Sequence, residues 1–370
     1  MKYLKAYSPS VIFQKRNFGL DLIRTIAIGL VMISHLGIQP EYVGGLRIGQ
    51  LGVEVFFVLS GFLIGQILIK DFSNGINLSV ILHFWKRRWY RTLPLYYLII
   101  ILKFIFIDHS LGYKIIVYFL FLQNNFVGID FMGVTWSLVI EEWFYLSLPL
   151  MLFVYFYFHK ITPQKLMYFI LLFCFLENVL RLVWVLYTDR GYEAINANFP
   201  FRLDSMMCGV FIANLRLNFN NYYQIFTKTY IFIIVLVVYS VLLFVFGTTN
   251  LKEGALDELL WTRTIWFFSN SLLLAFFIPY FETFFKNGVN YKNPICIIIT
   301  YISIFSYAVY LIHQEIYHYI IKSELFSAAW LVESIVAILL TFLISGILFI
   351  FYEKPMTDLR DRFSPKNKII

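Results

Sequence analysis

The chain has 370 residues, 60% of them hydrophobic and 14% charged, with a formal net charge of +8. Soluble proteins are about half apolar and about a quarter charged, so this composition and a mean hydropathy of +0.74 exclude a soluble enzyme, a disordered chain and a secreted disulfide scaffold. At about 20 residues per membrane span, ten spans take about 200 residues and leave enough only for loops and short tails.

Residues 1–17 carry Lys2, Lys5, Lys15 and Arg16 without a small-residue cleavage site. They are expected to be a cytoplasmic tail, not a cleaved signal peptide. Spans are predicted at 18–37, 49–69, 92–108, 136–158, 166–187, 201–217, 228–247, 262–282, 295–320 and 329–352, followed by a cytoplasmic tail over 353–370. The apolar stretch 112–127 is interrupted by Gln123, Asn124 and Asn125 and is expected to be re-entrant or interfacial, because it is too short to cross. The expected fold is therefore all-α: a polytopic membrane protein with one transmembrane domain over 18–352 and both termini in the cytoplasm. Of 30 Lys and Arg residues, 20 then fall in inner segments, 8 in outer segments, and Arg24 and Arg181 within spans. This is the positive-inside bias, and it explains the net charge without nucleic acid. An eleventh span at 112–127 would move the basic carboxyl tail outside, against that bias. Cys174, Cys208 and Cys296 lie in apolar stretches and form no metal-like spacing, so no metal site and no disulfide framework is expected. No internal repeat of the transporter kind is visible.

Ionisable residues inside spans point to function, because they are expensive in hydrocarbon. In the first span Arg24 and His35 stand eleven residues apart. Three helical turns put them on one face, about 16 Å apart along the axis. In the second span Glu54 is as far from the Gly44–Gly45 turn as His35 is, which places the two at similar depth and suggests that Glu54 orients or charges His35. The competing reading is that Glu54 pairs with Arg47 or another outer arginine and supports the fold. Ser60 and Gly61 sit deeper, where small residues allow close helix packing. The inner loop expected after this span holds Arg88 and Arg91, three apart. Their planar guanidinium forks suit phosphate, although a topology signal or anionic-lipid contact would use the same charges. The fourth span opens on Trp136 with Glu141 and Glu142 just below. Further polar groups follow at Glu177, Asn178, Arg181, Arg202, Asp204, Asn270 and His313 to Glu315. Some of these pair with one another in the simplest reading. Their shared depth suggests a polar cavity open to the outside, with Arg24 connecting it to a basic inner face.

The Arg24-to-His35 spacing, the run Gly52 to Phe62, the Arg88/Arg91 pair, Trp136-Ser137-Leu138 with Glu141, Ser306-Tyr307 with Tyr310, Leu311 and His313, and Glu353 with Pro355 occur in one order across most of the chain. In this the sequence resembles the membrane acyltransferase 3 family. The resemblance implies transfer of an acyl group, usually acetyl from acetyl-CoA, to a hydroxyl of an extracytoplasmic or lipid-linked glycan. Glu54 stands where the family often has Asp, which keeps the carboxylate. Some members carry a fused SGNH-type domain, and none is expected before the sequence ends at Ile370.

The resulting expectation is a multi-pass cell-membrane enzyme, a surface-glycan O-acyltransferase. It would have no permanently bound cofactor, acyl-CoA as co-substrate, and membrane lipid and a surface polysaccharide or lipid-linked sugar as partners. Arg88 and Arg91, with Arg24 and Ser60 deeper in, would hold the donor. His35 would act as general base or transient acyl carrier, with Glu54 and Glu141 as further catalytic candidates. Trp136, Arg202, Asp204 and His313 would shape the acceptor side. The rival from another class is a transporter or flippase of a polar lipid-linked sugar, which buried charges also suit.

Overall fold

A backbone in hydrocarbon must satisfy its own hydrogen bonds, so apolar segments of this length become helices. The computed structural model describes residues 16–36, 45–73, 75–158, 162–188, 190–284, 293–321 and 330–362. Ten long helices stand out among them: α1 Phe18–His35, α2 Ile48–Phe72, α3 Leu78–Phe106, α4 Thr135–Tyr157, α5 Pro163–Tyr187, α6 Leu203–Asn218, α7 Thr229–Asn250, α8 Ile265–Phe284, α9 Pro294–Ile321 and α10 Trp330–Leu348. No strand occurs among the described residues. Nine of these helices are long and apolar enough to cross a membrane, which makes the chain a multi-pass membrane protein.

Local chemistry sets several boundaries. The Asn17 side chain accepts from the Leu20 amide at 3.1 Å and starts α1. Asn77 caps α3 in the same way, and Thr162 caps α5 ahead of Pro163 at its first position, as the unpaired amides of a helix start require. Pro149 lies inside α4. Proline has no N–H, so the carbonyl four residues earlier, that of Tyr145, loses its helical donor. The Trp85 indole of α3 donates to that carbonyl at 3.0 Å.

Three expectations change. The segment 84–91 is not a loop: α3 begins at Leu78 and carries the basic run as helix. A helix of 29 residues is about 43 Å long, so it continues beyond a hydrocarbon core of about 30 Å. The segment expected to span at 201–217 forms α6, with 16 residues, about 24 Å long, and it is not among the nine crossing candidates. After α10 the helix continues through a wide turn, Phe349–Glu353, into Lys354–Arg362, where a tail was expected. The stretch 112–127 forms three short helical pieces, Gly112–Ile115, Ile116–Phe119 and Gln123–Phe126, and none is long enough to cross. Residues 1–15, Gly44 of the expected turn, and 363–370 lie outside the described residues.

The chain divides into two compact units, residues 1–67, 162–196 and 200–306, and residues 68–161, 197–199 and 307–370. In the first unit α6 is buried along nearly its whole length and packs against α5 and α8, while α1 and α7 pack against α8. Small residues set the spacing of α2. A Cβ on Gly61 would lie 1.8 Å from the Met206 carbonyl oxygen of α6, so backbone meets backbone there. A Cβ on Gly49 would lie 2.2 Å from Ser34 Oγ of α1. In the second unit α3 packs against α4 and against Lys354–Arg362.

Candidate active site

His35 is the last residue of α1 and its ring is exposed. Its Nδ1 lies 2.9 Å from the Val31 carbonyl oxygen, one turn back. A carbonyl only accepts, so Nδ1 carries the proton and Nε2 is the acceptor nitrogen of the ring. Ser34 Oγ donates to the same carbonyl at 2.7 Å and lies 3.3 Å from Nδ1. The backbone of α2 at Gly49 closes this turn from the other side. At the other end of α1, Arg24 Nη1 lies 3.4 Å from Ser303 Oγ and 3.9 Å from Asp21. Buried Asp21 is also paired with Arg16 and accepts from Ser303 at 2.7 Å.

Glu54 is fully buried, and its carboxylate does not serve His35. Arg202 donates to Oε2 and Ser271 Oγ to Oε1. Arg202 Nη1 also donates to Asn196 Oδ1 at 2.7 Å, which accepts from Gln50 at 2.8 Å. The Arg202 guanidinium stands 4.3 Å from the Phe267 ring centre. The expected pairing fails for a reason of helical phase. At about 100° per residue, Glu54 lies within about 20° of Gly61, the face of α2 that meets α6. It lies about 140° from Gly49, the face that meets α1. Depth separates them as well: Gly49 faces Ser34 and Gly52 faces Ala27 and Val31, so Glu54, five residues beyond Gly49, lies about 7 Å deeper than the turn that holds His35. The alternative, pairing with an outer arginine, is what forms, and the arginine is Arg202; Arg47 pairs with Glu193 instead.

Asp204 faces Arg181 in a bidentate pair, Nη1 to Oδ1 at 2.9 Å and Nη2 to Oδ2 at 2.5 Å, with both side chains fully buried. Arg181 also donates to the Phe201 carbonyl at 2.7 Å. The terminal nitrogens of Arg202 and the carboxylate of Asp204 are thus committed to protein partners, while Arg202 Nε is buried without one among the described residues. Asn270 accepts from Tyr239 at 3.0 Å. Ser60 is half-buried on α2.

In the second unit the Arg88 guanidinium lies 4.2 Å from the Tyr145 ring centre, a cation–π contact. Tyr145 in turn donates to Glu141 at 2.7 Å. Glu142 accepts from Thr92 at 2.8 Å. Arg88 is half-buried and Arg91 exposed. The Trp136 carbonyl accepts from Asn124 at 3.0 Å, which ties the short helix at 123–126 to the start of α4. His313 is fully buried, with Nδ1 2.9 Å from the Tyr310 carbonyl. The Tyr310 hydroxyl lies 2.6 Å from Ser137 Oγ and donates to the Val134 carbonyl at 2.9 Å.

The candidate residues therefore fall into separate groups. His35, Arg24, Glu54, Ser60, Arg202 and Asp204 belong to the first unit, and Arg88, Arg91, Trp136, Glu141 and His313 to the second. Sequence reasoning missed Gln50, Asn196, Ser271 and Tyr145. Gln50 and Tyr145 stand one turn from Glu54 and Glu141 on the same helices and were legible from that spacing. Asn196 and Ser271 had no local signal.

Residues 17–350 match the model of a family described as an acyltransferase domain. Three curated relatives match shorter stretches. O-acetyltransferase OatA of Staphylococcus aureus (strain NCTC 8325 / PS 47) is 32% identical over 180 residues, 44% of this chain and 28% of that protein. Putative peptidoglycan O-acetyltransferase YrhL of Bacillus subtilis (strain 168) is 35% identical over 161 residues, 38% of this chain and 24% of that protein. Peptidoglycan O-acetyltransferase OatA of Listeria monocytogenes serovar 1/2a (strain ATCC BAA-679 / EGD-e) is 31% identical over 173 residues, 42% of this chain and 25% of that protein. The chain thus spans about a quarter of the length of the relatives it matches. No solved structure matches it.

Proposed function

The chain belongs to the acyltransferase 3 family, and from that membership we propose that it is a cell-membrane O-acetyltransferase that moves acetyl from cytoplasmic acetyl-CoA to a hydroxyl of a surface or lipid-linked glycan. The observation that carries the reading is His35: an exposed imidazole at a helix end whose tautomer is set by the Val31 carbonyl, with Nε2 as the accepting nitrogen. In this reading Nε2 takes the proton of the acceptor hydroxyl. The hydroxyl oxygen attacks the thioester carbonyl, the C–S bond breaks, and the departing thiolate recovers the proton as CoA-SH. In the acyl-carrier variant Nε2 itself attacks the thioester carbonyl and the C–S bond breaks with release of the CoA thiolate; the acceptor hydroxyl oxygen then attacks the acetyl carbonyl, the N–C bond breaks, and the hydroxyl proton goes to the thiolate to give CoA-SH.

Arg88, backed by the Tyr145 ring, and exposed Arg91 are assigned to the donor phosphates, and Arg24 and Ser60 are assigned to the donor as well. Glu141 acts through Tyr145 to position Arg88, a narrower role than catalysis. Trp136 and His313 are assigned to the acceptor. Arg202 and Asp204, already consumed in ion pairs, support the fold of the first unit. The printed names of two relatives make peptidoglycan a reasonable acceptor to test first.

Mass spectrometry of surface glycan from wild-type and deletion strains tests the reading. Loss of acetyl from the deletion strain, restored by the wild-type gene, is expected. An unchanged acetyl content refutes it and returns attention to transport. For the donor side, Arg88→Ala is expected to weaken acyl-CoA binding about tenfold or more, as losing a charge-assisted phosphate contact does. Arg88→Lys restores only part, because lysine lacks the planar fork. Unchanged CoA titrations in both variants remove Arg88 from the donor site. Both termini are assigned to the cytoplasm from the basic bias, an assignment that requires short α6, which runs alongside α2 from Gly61 at Met206 to Gly65 at Val210, to carry the chain back as a tenth crossing; a fusion at residue 370 that works only outside the cytoplasm overturns this.

A further inference from the structure

An apolar groove of about 220 Å³ runs between α1, α2, α7 and α8 of the first unit. Val58, Phe232, Leu274 and Phe277 form its walls. Ile26 and Leu236, 45% and 44% exposed, stand at its mouth. Tyr239 brings a polar atom to the lining, and its hydroxyl is already bonded to Asn270 at 3.0 Å. Nothing in the groove can hold water, which needs two to four polar partners. All four lining helices are crossing candidates, so its mouth opens to lipid tails.

The charge at one end of the groove identifies the lipid. The lining begins at Phe232 on α7, four residues or about 6 Å along the helix axis from Lys228, the residue that precedes the helix. Lys228 is exposed, with its ammonium 5.8 Å from the ring centre of Tyr230, itself 57% exposed. A basic residue and a tyrosine at a helix end mark the headgroup level, and each basic residue near the surface attracts anionic lipid. The Phe232 ring centre lies 5.9 Å from that of Phe281, whose carbonyl faces Gly19 at the start of α1, so Lys228 stands at the amino-terminal end of α1, the end expected in the cytoplasmic leaflet, where anionic lipids concentrate.

We propose that this groove binds one anionic phospholipid, with an acyl chain between α1 and α7 and the phosphate at Lys228. Head and tail then read as one site: a point charge at the interface, an aromatic anchor beside it, and a hydrocarbon slot directly deeper. The inference does not depend on the transfer chemistry, and activity is not its readout.

Native mass spectrometry of the full chain, purified in mild detergent and titrated with phosphatidylglycerol or phosphatidylcholine, tests it. The wild type is expected to retain one phosphatidylglycerol and to prefer it over phosphatidylcholine. Leu236→Trp fills the mouth from an exposed position and is expected to cut retention about tenfold, the effect of excluding about two chain methylenes. Lys228→Glu is expected to erase the preference, a change of about fivefold or more. Equal retention by wild type and Leu236→Trp, or equal retention of the two lipids by the wild type, overturns the proposal. If Leu236→Trp does not purify, thermal unfolding of the wild type decides. A rise in melting temperature with phosphatidylglycerol and not with phosphatidylcholine supports the site, and equal shifts refute it.

Discussion

Replacing His35 with alanine is expected to lower acetyl transfer about 10²–10⁴-fold, the usual weight of a positioned general base, at unchanged abundance in the membrane. Stability should hold because the ring is exposed and ends its helix, so its removal leaves no cavity. His35→Gln should be nearly as inactive, since an amide can bond the Val31 carbonyl but cannot accept a proton at neutral pH. The geometry adds a second arm. Gly49→Ala would place a Cβ 2.2 Å from Ser34 Oγ, in the turn that holds the imidazole. It should therefore reduce turnover through position, with the acyl-CoA affinity unchanged. Base and acyl carrier separate on one observation. Brief exposure of the wild type to acetyl-CoA without acceptor leaves an acetyl mass on the peptide containing His35 only if the ring carries the group. Near-normal acetylation by His35→Ala at equal abundance would reduce the residue to a helix end.

Breaking the buried Glu54–Arg202 pair is expected to be the most damaging change to the fold. Glu54→Gln removes the carboxylate charge and leaves the Arg202 guanidinium buried without compensation. Losing one partner of such a pair costs about 3–5 kcal/mol, a large share of the roughly 5–15 kcal/mol that holds a domain together. Arg202→Ala should be as harmful, because it strands Glu54 and frees Asn196 as well. Glu54→Asp keeps the charge but shortens the reach and should be the mildest. The double change Glu54→Gln with Arg202→Gln should be less destabilising than the two single effects added together, since neither charge is then stranded. Thermal unfolding in detergent and membrane abundance measure all four. The contrary result is also informative. If Glu54→Gln keeps full abundance while turnover falls and its pH profile shifts, Glu54 acts on His35 after all.

Much of the architecture was legible along the chain. Ten apolar segments became ten long helices, because burial in hydrocarbon leaves a segment no other way to satisfy its backbone. Asn17, Asn77 and Thr162 mark helix starts through their side-chain oxygens. The interval from Arg24 to His35 puts both on one face of α1, which only helical pitch requires. The close packing anticipated at Gly61 is present against Met206. Periodicity on one helix assigns each residue a depth and an angle, but it says nothing about which neighbour lies at that angle. Glu54 shows the difference. Equal spacing from the turn was expected to match its depth to that of His35, yet α2 packs on α1 with Gly49 at Ser34, which sets Glu54 deeper, and its angle follows Gly61 toward Arg202. The same holds for Asp204 with Arg181, and for Arg88, whose stacking partner Tyr145 comes from a helix more than fifty residues away. Charges in a low-dielectric interior must find a partner wherever the packing places one, and that choice is made between helices, after each has formed.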